Sequence, residues 1–245
     1  MNSRKNGFYT ILKKITKIFY NNWQFQGLSN IPREPSVIVG NHSQIYGPIV
    51  AELLFPYPKC TWCTAEVMST KEFPDYAMRD FFIYKNNKFR WFYRLVSKII
   101  AKPLSYIFNN ADALPVYKDS RIIFTFKKSI SQLEQNKHLI IFPEKHSKYN
   151  QIINEFHTNF IDLARLYYKK TKKNLSFVPM YIAPKLKKVV FGEKIQFNPD
   201  VEFNIHKQQI NDYIKNTITS LAKELPVHTV IPYLNVSKKE YLKSH

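Results

Sequence analysis

Three short blocks hold the residue types that could do chemistry. Asn41-His42-Ser43-Gln44 follows Ser36-Val37-Ile38-Val39-Gly40, Glu144 follows Ile140-Ile141-Phe142-Pro143, and Lys118 and Arg121 follow Ala113–Val116. An imidazole, with an ordinary pKa of about 6.5, is largely neutral at pH 7 and can accept a proton there. Paired with a carboxylate it can deprotonate a hydroxyl, and positioned proton transfer contributes about 10²–10⁴-fold to a rate. Cations beside such a pair would hold an anionic substrate, a lysine as a point charge and an arginine as a two-pronged fork. A lone His after an apolar run is more often structural than catalytic, so His42 alone decides nothing. The weight lies in the set, because each block stands at or just beyond an apolar run bounded by turn residues, as does Phe177-Val178-Pro179-Met180.

Runs of that length and composition predict buried strands. From residue 113 onward they alternate with helical periodicity. Ile123, Phe126, Ile130 and Leu133 mark one helix, and Phe156, Phe160, Leu163 and Tyr167 a second. Ile210, Ile214, Ile218, Leu221 and Leu225 mark a third. The alternation predicts an α/β fold, a two-layer or three-layer sandwich with a mostly parallel sheet. In an open sheet of this kind, strand ends on one edge converge on a common crevice, which would gather the blocks into one site. A further helix is expected from Pro48 through Leu54 and a strand near 60–65, while 66–88 reads as an irregular loop or lid.

Two stretches have a different character. In 5–23 the residues Phe8, Ile11, Leu12, Ile15, Ile18, Phe19 and Trp23 recur at helical spacing, with Lys13, Lys14 and Lys17 on other faces. That is the pattern of a helix lying flat in a membrane interface, and equally of one docked on a core. In 90–108 the cations Arg90, Arg94, Lys98 and Lys102 form one stripe, and Phe92, Leu95, Val96, Ile99 and Ile100 form an apolar face. This is either a surface helix with a solvated side or a second contact with anionic lipid. The expected organisation is an N-terminal amphipathic membrane-interface helix within 1–30, one α/β domain over 31–236, and a polar tail, 237–245, that frays.

The 245 residues suffice for one domain with a full core. Their formal charge is +19, from 37 basic and 18 acidic side chains, an excess that favours anionic membranes, phosphorylated substrates or polyanions. The chain has none of the helix-turn-helix, zinc or RNA-binding signatures of nucleic-acid proteins, so no nucleic-acid partner is expected. No apolar run approaches the ~20 residues that span a bilayer, and the N-terminus is not that of a secretory signal. Cys60 and Cys63 are the only cysteines. Zinc would need two more ligands, and the pair lies in a strand-like stretch where a redox motif needs a helix start. No metal is expected.

Taken in order over roughly residues 30–200, the blocks resemble the glycerolipid acyltransferase family, of which 1-acylglycerol-3-phosphate acyltransferase is the familiar member. That family shows Asn-His-x-x-x-x-Asp, an Arg-bearing block after a short strand, Phe-Pro-Glu-Gly and a Val-Pro block. The resemblance implies that His42 is a general base that helps an acceptor hydroxyl attack an acyl thioester or acyl phosphate. It implies that Glu144 serves the same centre, that Lys118 and Arg121 stand where the phosphate-binding Arg falls, and that Asn41, Ser43, Gln44, Pro143, Lys145 and Lys148 line the substrate. It also implies an anionic membrane surface, an acyl-CoA or acyl-carrier-protein donor and a lysophospholipid-like acceptor as partners, no cofactor, and a peripheral place on the cytoplasmic face of the membrane. Two positions depart from the family. Its Asp is Gly47 here and its third-block Gly is Lys145. A carboxylate in that place fixes the imidazole tautomer and stabilises the imidazolium. Glu144, Asp75 or Asp80 could fold back to do so, Gln44 or a backbone carbonyl could do so more weakly, or catalysis has been lost. His146 reads as a loop side chain or a second acid or base, and His157 as a packing residue.

Overall fold

Ser36–Gly40 is buried at every position and forms β2, in the middle of an eight-stranded sheet. The computed structural model of the chain describes residues 7–83, 85–145 and 151–245. The other strands are β1 (Gln24–Gln26), β3 (Lys59–Thr64), β4 (Ala113–Val116), β5 (His138–Ile141), β6 (Ser176–Ala183), β7 (Lys188–Phe191) and β8 (Ile195–Gln196). Their order is β1-β7-β6-β2-β5-β3-β4, with β8 on β6. Pairing is parallel from β6 through β4 and at β1–β7, and antiparallel at β6–β7 and β6–β8.

Alternate residues of the central strands feed two cores. Val37, Leu139, Ile141 and Phe177 pack with Leu133 of α6 (Ile122–Glu134), Leu163 of α7 (Asp162–Thr171) and Ile214 of α8 (Phe203–Glu224). Ile38, Ile140 and Val178 pack on the other face with Val50 and Ala51 of α2 (Tyr46–Leu54). The sandwich therefore has three layers. Covering both faces is why these strands read as continuous apolar runs instead of alternating ones.

The stretch 66–88, expected to be irregular, is largely helical. It holds most of α3 (Ala65–Met68), α4 (Phe73–Tyr76) and a π-turn at Ala77–Phe81. Val67, Phe73 and Ala77 bury against Ala101 of α5 (Arg90–Asn110), while the interleaved charges that hide the period point outward.

The first helix, α1 (Gly7–Phe19), docks by its polar side. The Tyr9 hydroxyl donates to Glu52 Oε1 at 2.8 Å and Lys13 Nζ to the same oxygen at 2.6 Å, and Lys59 from β3 pairs with this carboxylate as well. Phe8, Ile11, Ile15, Ile18 and Phe19 are left outside, 49–77% exposed. Helix α5 is inverted in the same sense: Ser97, Ala101 and Ser105 face inward, and Trp91, Phe92, Leu95 and Ile99 are exposed. The rings of Phe8 and Tyr106, 5.9 Å apart, join the two helices.

The tail 237–245 does not fray. The Val230 N–H donates to Leu242 O at 2.9 Å and the Ser244 N–H to His228 O at 3.0 Å, with Ser244 buried. Side-chain polarity suggested fraying, but the ordering comes from backbone groups that every residue carries.

Candidate active site

His42 sits at the tip of the central strand because the turn after β2 is unusually constrained. Asn41 extends the β2–β6 pairing by one step with its side chain: Oδ1 accepts from the Ile182 N–H at 2.7 Å and Nδ2 donates to Ile182 O at 3.0 Å. The same Nδ2 lies 2.7 Å from Ser43 Oγ. Ser43 and Gln44 both adopt left-handed backbone, with φ of 46° and 54°, a conformation that costs non-glycine residues on the order of 1–3 kcal/mol each. Hydrogen bonds from Tyr46 N to Ser43 O (3.0 Å) and from Gly47 N to His42 O (3.1 Å) hold the turn and start α2. The imidazole is left half-buried. Asn41 and Ser43, read from the sequence as substrate contacts, are only 2% and 1% exposed. Their polar groups are engaged in the turn that positions His42.

Glu144, at the exit of the neighbouring strand β5, is buried and reaches His42 through the backbone. Its Oε1 accepts from the His42 N–H at 2.6 Å and its Oε2 from the Asn154 N–H at 3.1 Å. Burial raises its pKa, the two N–H donors pull it back, and the balance lies at about 7. The imidazole and this carboxylate thus share one edge of the sheet and one loop system. Asp75 is exposed and pairs with Arg94, and Asp80 pairs with Arg79. Gly47 has no room for the family's carboxylate, since a Cβ there would stand 2.5 Å from His42 O and 3.0 Å from Asn41 O.

The third contributor is the chain after α8. The Tyr233 ring lies 4.7 Å from the imidazole, and Phe142 closes another side at 5.6 Å. Gln44 binds this segment: its Nε2 donates to Leu234 O at 3.1 Å and to the Tyr241 hydroxyl at 2.8 Å. Burial foremost, with Asp80 and Glu144 adding to it, pushes the Tyr233 hydroxyl up to about 12. Sequence reasoning missed Tyr233 because Val230-Ile231-Pro232-Tyr233-Leu234 has neither a helical period nor a strand's freedom from proline.

Among solved structures, the chain is similar to the 1-acyl-sn-glycerophosphate (LPA) acyltransferase PlsC from Thermotoga maritima. The TM-score is 0.51 at 12% identity, over 90% of this chain and 83% of that one. What is shared at that distance is the fold. No protein-family model and no curated protein matches the chain.

The remaining site residues scatter. Lys118 and Arg121 follow β4, the outermost strand, three places from β2. Three interstrand spacings separate the two strand tips by about 14 Å, before the length of the side chains is counted. Lys118 pairs with Glu66 at 3.5 Å, and Arg121 is closed on Asp119 at 2.7 Å with the Tyr117 ring 4.5 Å from its guanidinium. Pro143 is buried and its carbonyl accepts from the His157 N–H at 2.8 Å, whereas Lys145 is exposed. Lys148 and His146 lie outside the described residues. The His157 side chain is exposed and does not pack in the core.

A second group of cations comes from 66–88 and the head of the 90–108 stripe, and its Arg79 shares the Glu66 carboxylate with Lys118. Arg79, Lys85 and Arg90 line a recess of about 210 Å³ beside the stacked rings of Phe82 and Tyr93, whose centroids are 5.0 Å apart. Arg79 also pairs with Asp80, the residue whose charge acts on Tyr233. Burial pushes both thiols, Cys60 and Cys63, up to about 12, so at neutral pH they are protonated and poor nucleophiles. Among the described residues, no group of three or more His, Cys, Asp or Glu side chains could hold a metal.

Proposed function

We propose that the chain is an acyltransferase that moves a fatty acyl group from a thioester of CoA or acyl-carrier protein, or from an acyl phosphate, to the hydroxyl of a lysophospholipid or glycerol-phosphate-type acceptor. The observation that carries this reading is a half-buried imidazole at the tip of the central strand, its backbone clamped by the buried Glu144. The likeness of fold to an LPA acyltransferase supports it.

The acceptor oxygen attacks the carbonyl carbon as its proton passes to His42, and a C–O bond forms. The tetrahedral intermediate collapses, the bond to sulfur breaks with its electron pair on sulfur, and the thiolate takes the proton back from His42. No acyl-enzyme is needed and no cofactor enters. Glu144 fixes the position of the base through its main chain. The recess with Arg79, Lys85 and Arg90 offers charge for the anionic part of donor or acceptor. The outward apolar residues of α1 and α5, flanked by Lys14, Lys17, Arg94 and Lys98, fit a peripheral seat on the cytoplasmic leaflet, where both the acceptor and a hydrophobic acyl chain are found.

Transfer from palmitoyl-CoA to lysophosphatidate, followed with wild type and His42→Ala, tests the proposal. The variant should keep its fold and lose at least about 10²-fold in rate. Equal rates would remove His42 from the chemistry. Gly47 favours a second reading, a lipid-binding relative without catalysis. That reading would gain if the wild type bound lysophosphatidate vesicles yet transferred nothing from thioester or acyl-phosphate donors.

A further inference from the structure

The ring nearest the His42 imidazole belongs to none of the blocks that suggested a site. Tyr233 lies 4.7 Å from it, tilted by 53°, and with Phe142 at 5.6 Å it places aromatic rings on two sides of the imidazole. Its backbone is held in place from several directions. Gln44, in the same turn as His42, binds Leu234 O and the Tyr241 hydroxyl, the Tyr181 hydroxyl lies 2.9 Å from His228 Nε2, and Val230 pairs with Leu242. The turn that carries the base and the segment that covers it are one hydrogen-bonded unit.

We propose that Tyr233 is a positioning residue of the His42 site: its ring braces the imidazole and stabilises the positive charge that the imidazole takes up with the acceptor's proton. The inference rests on the acyl-transfer reading of His42. The face of an aromatic ring is electronegative, and a cation within about 6 Å of its centroid is attracted, most strongly where water is excluded. The Tyr233 ring lies well inside that limit, whereas Phe142 meets the imidazole in an edge arrangement. A negative group at position 47 would serve the same charge, but the backbone of His42 and Asn41 fills the space its Cβ would need. Among the described residues, the charged or titratable groups that act on the pair include Glu144 at the His42 N–H, Asp80 acting on Tyr233, Arg79 on Asp80, and Tyr76 beside Tyr233.

The test follows the His42 ring by NMR through a pH titration in the full chain, alongside transfer kinetics. Tyr233→Phe keeps the ring and should keep the wild-type titration midpoint and rate. Tyr233→Leu fills much of the volume without an aromatic face. Its midpoint should move toward acid by about half a unit to one unit, with kcat reduced several-fold and KM unchanged. A Leu variant that titrates like wild type overturns the inference. Should that variant fail to fold, Gln44→Ala, which leaves the ring and loosens its tether, should move the midpoint in the same direction, and an unmoved midpoint there overturns it too. The titration does not depend on turnover. A shifted midpoint with a fully active His42→Ala protein would keep the brace and remove the acyl-transfer reading, whereas an unmoved midpoint with an inactive His42→Ala protein would do the reverse.

Discussion

Glu144 should make the stability of this protein fall as the pH rises through neutrality, and the size of the effect follows from its surroundings. Its carboxyl is buried, no cation pairs with it among the described residues, and its pKa rises from 4.5 to about 7. A carboxyl with a higher pKa folded than unfolded binds its proton more tightly in the folded state. Folding therefore loses stability as pH climbs from about 4.5 to about 7, and the penalty is complete above that range. The full shift corresponds to about 3 kcal/mol, of which about 2.5 kcal/mol falls between pH 5 and pH 8. Glu144→Gln removes the titration. It also turns an amide N–H toward one of the two backbone donors, from His42 or Asn154, at a cost of about 1–3 kcal/mol that does not depend on pH. Urea unfolding of both proteins at pH 5 and pH 8 separates these effects. Wild type should be the more stable at pH 5, and the gap should close or reverse at pH 8. With a urea slope of about 3 kcal/mol per M, the relative midpoint moves by about 0.8 M. If the two proteins keep the same difference at both pH values, the carboxyl does not titrate in this range and the account of its burial is wrong.

Placing the family's carboxylate in this chain by Gly47→Asp should not improve the proposed acyl transfer. The obstacle is backbone oxygen 2.5 Å from the new Cβ, so a loss of about 2 kcal/mol or more is expected, seen as a Tm lower by about 4–8 °C. An unchanged Tm would mean that the turn has room to spare. Replacing Ile15, Ile18 and Phe19 of α1, or Trp91 and Ile99 of α5, by Ser should weaken sedimentation with phosphatidylglycerol vesicles. These side chains are largely exposed, so the Tm should stay within about 1 °C of wild type. Undiminished sedimentation of a combined variant would show that these faces do not meet lipid.

The central fold was legible because β2, β5 and β6 are buried on both faces and leave uninterrupted apolar runs, and because helical periods separate them. The region 66–88 was not, since Val67, Phe73, Pro74 and Ala77 turn inward at no regular spacing and the charges between them break the pattern. The short strand β1 was missed as well: Gln24-Phe25-Gln26 is paired by backbone to β7 and carries little side-chain signal. The site was legible as His42 and Glu144, side by side on adjacent strand ends. It was not legible as a hydrogen-bonded whole. Which nitrogen or oxygen Glu144 would meet, which polar residues would be consumed by a strained turn, and that the last 20 residues fold back over the base are all facts of three-dimensional return, with no local pattern to announce them. Strand order was not legible either: Lys118 and Arg121 follow β4, which is three places from β2 at the edge of the sheet.

The side-chain amide of Asn41 clips the tip of β2 to Ile182, while one residue earlier the methyl of Met180 occupies the place where a Cβ on Gly40 would stand. The turn that carries His42 is therefore registered against a flexible thioether on the adjoining strand. Branched replacements at that methionine would slide the strand tips past each other by fractions of an ångström, so the aim of the imidazole can be tuned from inside the core without altering anything a substrate touches.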